Sequence, residues 1–168
     1  DKKAEEQSHA IHHTFGEVEW ITIFFFIGLF VVVAGIEKAG ALELLAHKIV
    51  EWTGGNFTAT AYTILWVSAV LSAVVDNIPF VATMIPVIQS MGNAFEPEQI
   101  DILWWALSLG ACLGGNGTLV GASANRVVAG MAERAGQPVR FLPFMLMAFP
   151  LMLASIAVSS VYLWIRYL

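Results

Sequence analysis

The chain has 168 residues, of which 58% are hydrophobic and only 12% charged, with a mean hydropathy of +0.73. Soluble domains carry about a quarter charged residues, so this composition excludes an ordinary water-soluble enzyme or binding module and points to an integral membrane protein. The formal net charge of −5 is spread over a tail and loops, which leaves no basic footprint for nucleic acid.

Cys112 is alone, so it forms no internal disulfide and offers no Cys-rich metal site. Residues 1–19 are expected to form a polar cytoplasmic tail, in which His9, His12 and His13 are solvated rather than metal-bound. The tail has no apolar h-region, so no cleavable signal peptide is expected, and the missing initiator Met suggests a fragment or processed chain. Five stretches lack Asp, Glu, Lys and Arg: Trp20–Ile36, Trp52–Val75, Asn77–Phe95, Ile102–Asn125 and Phe141–Ile165. A spanning helix needs about 20 residues, so each is a candidate span or re-entrant pair.

Residues 20–37 predict a first transmembrane helix, ended by Glu37-Lys38. Over 39–53 the pattern changes: Leu42, Leu45, Ala46, Ile49 and Val50 recur at helical spacing, with Glu43, His47, Lys48 and Glu51 opposite. That predicts an amphipathic arm helix at the membrane interface, stopped by Gly54-Gly55. Residues 57–91 are apolar apart from Asp76-Asn77-Ile78-Pro79. A carboxylate in hydrocarbon costs about 2.5–3.5 kcal/mol on insertion scales and marks a site by default. Pro breaks a continuing helix yet suits the first turn of a new one, and Asp76 or Asn77 can cap that turn. Two helices of unequal length meeting at a re-entrant tip are therefore predicted; the competing reading is an extramembrane loop between two full spans.

Gly92–Asp101 follows as an acidic loop, and 101–134 as a broken transmembrane helix. Gly114-Gly115-Asn116-Gly117-Thr118 and Gly121-Ala122-Ser123-Ala124-Asn125 cannot form a comfortable helix, because each Gly costs about 1 kcal/mol there. The competing reading is small residues permitting tight helix packing, as in Gly110-xxx-Gly114. Gly136-Gln137-Pro138 reads as a turn and 141–166 as a final span. Lys2, Lys3, Arg134 and Arg140 would share the cytoplasmic side, with Glu96, Glu98 and Asp101 opposite; Lys38, Lys48 and Arg166 dissent mildly.

Discontinuous membrane helices present their N-termini to anions and their unwound carbonyls to Na⁺. With both breaks near the midplane, Asp76, Asn77, Asn116, Thr118, Ser123 and Asn125 are the expected substrate or ion ligands, and Pro79, Gly115, Gly117 and Gly121 shape the backbone. Three roles are open to Arg126: an ion pair with Asp76, attraction of an anionic substrate, or snorkelling to the interface. Na⁺ or H⁺ is the expected coupling ion, with Asp76 as ion ligand or proton carrier, and neither cofactor, bound metal nor catalytic residue is predicted. Residues 115–121 read GxGxxxG within an apolar span and lack the P-loop lysine, which argues against ATP binding. An intramembrane enzyme is disfavoured too, since the spans hold neither HExxH nor a second carboxylate beside Asp76. Ser68 and Ser72 are expected to bond back to the preceding turn. His47 is expected at the interface, and Trp20, Trp52, Trp104, Trp105 and Trp164 as interfacial anchors.

The runs Asp76-Asn77-Ile78-Pro79-Phe80-Val81-Ala82-Thr83-Met84-Ile85-Pro86 and Gly110 to Asn125 resemble the signature blocks of the ArsB/NhaD and P-protein permeases, members of the ion transporter superfamily that also holds citrate and dicarboxylate carriers. The resemblance runs from about Trp20 to the end. It implies an all-α inverted-repeat carrier whose repeats each supply one re-entrant hairpin and one broken helix, with this chain as the C-terminal repeat, 20–168. By that likeness Asp76-Asn77 form the hairpin tip and Gly121–Asn125 the unwound loop, while the facing half belongs to a missing N-terminal repeat. A multi-pass protein of the plasma or inner membrane is implied, working as a homodimer of the full carrier with elevator-type motion. The implied function is secondary-active transport: a permease or antiporter for an anion such as arsenite or citrate, or Na⁺/H⁺ exchange. The alternatives are a truncated, non-transporting membrane module that needs a partner half, or an ion channel, whose filters also use unwound backbone.

Overall fold

The structure is a computed structural model and describes residues 20–168, with side chains from Ile23 onward; the expectations for the tail and for the Trp20 anchor lie outside what is described. The described residues form seven α-helices and no strand: α1 Trp20–Lys38, α2 Ala41–Trp52, α3 Phe57–Val74, α4 Asn77–Ser90, α5 Pro97–Gly114, α6 Ser123–Arg134 and α7 Phe141–Arg166. The chain divides into two units, the first ending at Gly35 and holding most of α1, the second running from Ile36 to Leu168.

Within the second unit, α2 is preceded by Gly40, whose φ of +75° is a left-handed conformation that disfavours a side chain. Its stripe of Leu42, Ala46 and Ile49 is buried, and α2 packs on α4. Leu45, expected on that stripe, is exposed together with Leu44. At the other end the Thr53 hydroxyl donates to the Ile49 carbonyl at 2.9 Å and meets Thr60 Oγ1 at 2.7 Å, tying α2 to α3. Asn56 caps α3 by accepting from the Ala59 amide at 2.9 Å.

Helices α3 and α5 form the core. Small residues drive their approach: a Cβ on Gly110 would overlap the Leu65 carbonyl oxygen, and one on Gly114 would overlap the backbone of Ala69. Packing of this kind is how helices associate where no water drives them together. Ala61, Ala69, Ala73, Ala106 and Ala111 are fully buried. α4 leans on α2 and α5, and α7 on α5 and the turn that follows it.

The expected acidic loop at Gly92–Asp101 is shorter than predicted. Met91–Asn93 make a 3₁₀ turn and α5 already starts at Pro97. The cause is local: Glu96 and Gln99 form a capping box around Pro97, with the Gln99 side chain accepting from the Glu96 amide at 3.1 Å. Among the described residues, α3 and α7 are each long and apolar enough to cross a membrane, and the pair Ile23–Lys38 with Ala41–Trp52 is a third candidate span.

Candidate functional site: two helix starts joined by a carboxylate

The first break lies between α3 and α4. Val75 and Asp76 take extended ψ values of 138° and 135°, and the Asp76 Oδ1 accepts the Ile78 amide at 3.3 Å, so the carboxylate caps α4. Pro79 sits in the first turn of α4, where its missing N–H has no intrahelical acceptor to lose. Phe57, at the start of α3, and Phe95, just beyond α4, meet edge to face with ring centroids 5.7 Å apart. The chain therefore doubles back between them.

The second break lies between α5 and α6. After Gly114 the chain makes one 3₁₀ turn, Gly115–Gly117, and then runs irregularly to Ser123. Gly115 and Gly121 approach each other, and Gly121 also lies against the backbone of Ser72 and Ala73, so neither has room for a Cβ. Gly117 fits against Ala73, Phe149 and Met152.

Thr118 is buried at the centre of this loop. Its hydroxyl donates to the Ala73 carbonyl and accepts the amides of Val120 at 3.2 Å and Gly121 at 3.1 Å. A hydroxyl has one donor and two acceptor lone pairs, so Thr118 Oγ1 is saturated. Asn125 spends both amide protons within the same loop, on the carbonyls of Gly115 at 3.0 Å and Thr118 at 2.9 Å. Both residues are ligands by the sequence expectation; in the structure their donors fasten the loop to itself and to the end of α3.

The two breaks meet at Asp76. Its Oδ2 accepts from Ser123 Oγ at 2.7 Å and from Arg126 Nη2 at 2.8 Å, and Arg126 Nη2 also reaches Ser123 Oγ at 3.2 Å. Ser123 is the first residue of α6, so one carboxylate joins the N-termini of α4 and α6. Both termini carry partial positive charge and α6 has no side-chain cap of its own, so the cluster favours negative charge even after Asp76 is counted. The Asp76 side chain is 19% exposed and that of Arg126 54%, which leaves the carboxylate inside and the guanidinium reachable. Of the three roles open to Arg126, the structure shows the ion pair with Asp76.

Asn77 and Asn116 are not brought into this cluster. Neither side chain makes a hydrogen bond among the described residues, and Asn116 is exposed. Ser68 and Ser72 also depart from expectation. Ser72 Oγ donates across the helix interface to the Ala111 carbonyl at 2.7 Å, and the Ser68 hydroxyl is buried without a partner. For Ser72 the physical reason is the close approach of α5, which brings the Ala111 carbonyl within hydrogen-bonding reach. A groove of about 290 Å³ lies between α3 and α7, lined by Tyr62, Trp66, Ala157, Ser160, Val161 and Trp164 and by none of the tip residues. There Trp66 Nε1 donates to Ser160 Oγ at 3.0 Å. Sequence reasoning missed this pair, because nothing local links positions 94 residues apart.

Helices α3 and α7 are apolar and long enough to cross a bilayer, and polar side chains gather where the starts of α4 and α6 meet, an arrangement that fits the class of membrane transporters. The chain belongs to the citrate transporter (CitMHS) family, whose model matches residues 6–110 and so includes the Asp76–Pro79 break. It is 46% identical over 151 residues to an uncharacterized transporter of Mycobacterium tuberculosis, covering 89% of this chain and 35% of that protein. It is 44% identical over 153 residues to the 46 kDa membrane protein of Mycobacterium leprae, covering 90% and 35%. To the P protein of Homo sapiens it is 42% identical over 159 residues, covering 89% and 19%. The chain thus spans about a third of the length of the mycobacterial relatives it matches. No solved structure matches it.

Proposed function

We propose that the chain forms the C-terminal half of a secondary-active ion transporter and supplies half of its substrate site. In this reading α3 and α4 make a re-entrant hairpin with Asp76 at its tip, and α5, the Gly115–Ala122 loop and α6 make a broken transmembrane helix. Support for the hairpin comes from length: at 14 residues α4 is about 21 Å long, short of the ~30 Å hydrocarbon core. The Phe57–Phe95 contact agrees with a chain that returns to the side it entered.

The substrate would be a small anion, a citrate-like carboxylate or an inorganic oxyanion such as that derived from arsenite, exchanged with or driven by Na⁺ or H⁺. The observation that carries this reading is the convergence of the α4 and α6 N-termini with Arg126 and Ser123 on one point. Paired helix starts with a guanidinium form an anion-binding device that remains favourable inside a membrane. The other half of the site, and the homodimer, would belong to the whole carrier.

The test is transport by the full-length protein in proteoliposomes, comparing radiolabelled citrate and arsenite under Na⁺ and H⁺ gradients. Saturable uptake and counterflow are expected for one of them, with Arg126→Gln lowering its kcat/KM at least tenfold. Flux that never saturates and shows no counterflow would assign a channel instead. Saturable flux indifferent to Arg126→Gln would remove the cluster from the site.

A further inference from the structure

Resting on the substrate reading above, the hydrogen-bond pattern at Arg126 points to a built-in competitor: we infer that the Asp76 carboxylate occupies the subsite an anionic substrate takes, and that substrate binding displaces it. The argument starts from the shape of guanidinium. Its planar fork offers two edges on which parallel N–H bonds can hold a carboxylate, one formed by Nε and Nη2 and the other by Nη1 and Nη2. Nη2 is common to both edges.

In this structure Nη2 is the nitrogen that is engaged. It donates to Asp76 Oδ2 at 2.8 Å and to Ser123 Oγ at 3.2 Å. Both of its protons are spent, so neither edge can grip an incoming carboxylate bidentately while Asp76 is in place. The Ser123 hydroxyl is committed as well, because it donates its single proton to the same Asp76 oxygen at 2.7 Å. Nε and Nη1 make no hydrogen bond among the described residues, which leaves an approaching anion only single, poorer contacts. The strong donors facing the gap between the α4 and α6 N-termini are therefore held by an internal carboxylate of the chemistry expected of the substrate.

Displacement has a structural consequence. No residue of α6 is buried, and the tie from Asp76 to Ser123 and Arg126 is the hydrogen-bonded link between α4 and α6 among the described residues. An anion that takes Nη2 and Ser123 Oγ unties α6 from the α4 cap while holding α6 itself. Asp76 would keep its bond to the Ile78 amide and remain a cap, so α4 does not lose its start.

The experiment is equilibrium binding of radiolabelled citrate to the purified full-length protein, in wild type, Asp76→Asn, Arg126→Gln and the double variant. Asn is as good an N-cap as Asp, so Asp76→Asn preserves the start of α4 while it removes the charge and the Oδ2 acceptor that holds Ser123 and Arg126; a thermal melt verifies the fold. Asp76→Asn is expected to bind citrate about two- to fivefold tighter, the range set by a partly exposed ion pair. Arg126→Gln should weaken binding both alone and when combined with Asp76→Asn. Weakened binding in Arg126→Gln together with equal or weaker binding in Asp76→Asn overturns the competitor and leaves the substrate site standing. Unchanged binding in Arg126→Gln overturns the site reading itself, and the competitor with it.

Discussion

Replacing Thr118 with Val tests whether the unwound segment is held by one hydroxyl. The substitution keeps shape and removes three hydrogen bonds: one donated to the Ala73 carbonyl and two accepted from the Val120 and Gly121 amides. Ala73 is fully buried and Gly121 is buried, so at least two backbone groups lose their partners where water does not replace them. An unsatisfied buried group costs about 1–3 kcal/mol, and with relaxation a total of about 3 kcal/mol is expected for the loop, roughly a hundredfold in its opening equilibrium. Hydrogen exchange followed by mass spectrometry on the full-length protein reads this directly in a peptide covering 118–122. Exchange there should accelerate by about two orders of magnitude in Thr118→Val, while peptides from α7 stay protected. Thr118→Ser keeps every bond and should stay near wild type. Exchange in Thr118→Val within about threefold of wild type would refute the saturated-hydroxyl argument.

Gly114→Ala and Ser68→Ala separate packing from polarity in the α3–α5 core, with Gly130→Ala in α6 as the comparison. Gly114→Ala pushes a methyl into the Ala69 backbone, which cannot swing aside, and should destabilise by about 1–3 kcal/mol. Gly130→Ala, within α6 and with no atom within 4 Å of the added carbon, should instead gain up to about 1 kcal/mol from helix propensity. Equal melting temperatures for the two variants would contradict the close approach of α3 and α5. Ser68→Ala removes a buried hydroxyl that has no partner, so stability should hold or rise by up to about 1 kcal/mol. A clear fall in melting temperature would mean that Ser68 is bonded after all.

The breaks are legible in the sequence because they violate the composition around them. Asp76 and Pro79 interrupt an apolar run for reasons that hold in any hydrocarbon setting, and four glycines between 114 and 121 oppose a helix wherever they fall. The early start of α5 is legible as well, from Glu96-Pro97-Glu98-Gln99, although the negative charges there read first as a loop. What sequence does not supply is the direction in which each polar group points. Thr118 and Asn125 are the residue types an ion site uses, and they are also the types that close a loop; only the Ala73, Gly115 and Thr118 carbonyls in place distinguish the two. Ser72 bonds across an interface whose register depends on Gly110 and Gly114 together, which no window along one helix contains.

The polar residues of the two breaks divide into a fixed set and an exchangeable one, and the geometry says which is which. Thr118 and Asn125 satisfy backbone groups that are buried or partly buried and have no alternative partner, so releasing them exposes several unsatisfied groups at once. Asp76, Ser123 and Arg126 bond mainly to one another, with the guanidinium reachable, and in the proposed exchange an anion takes the place of the Asp76 carboxylate on Ser123 and Arg126. Since α6 buries none of its residues, its place depends on both sets: Asn125 holds its first turn to the loop, and Arg126 with Ser123 holds it to the cap of α4. Exchange at the second set alone leaves the loop fastened to α3 and alters only how α6 meets α4. In the proposed exchange a ligand would therefore change the relation of two helices without dismantling the segment that presents it.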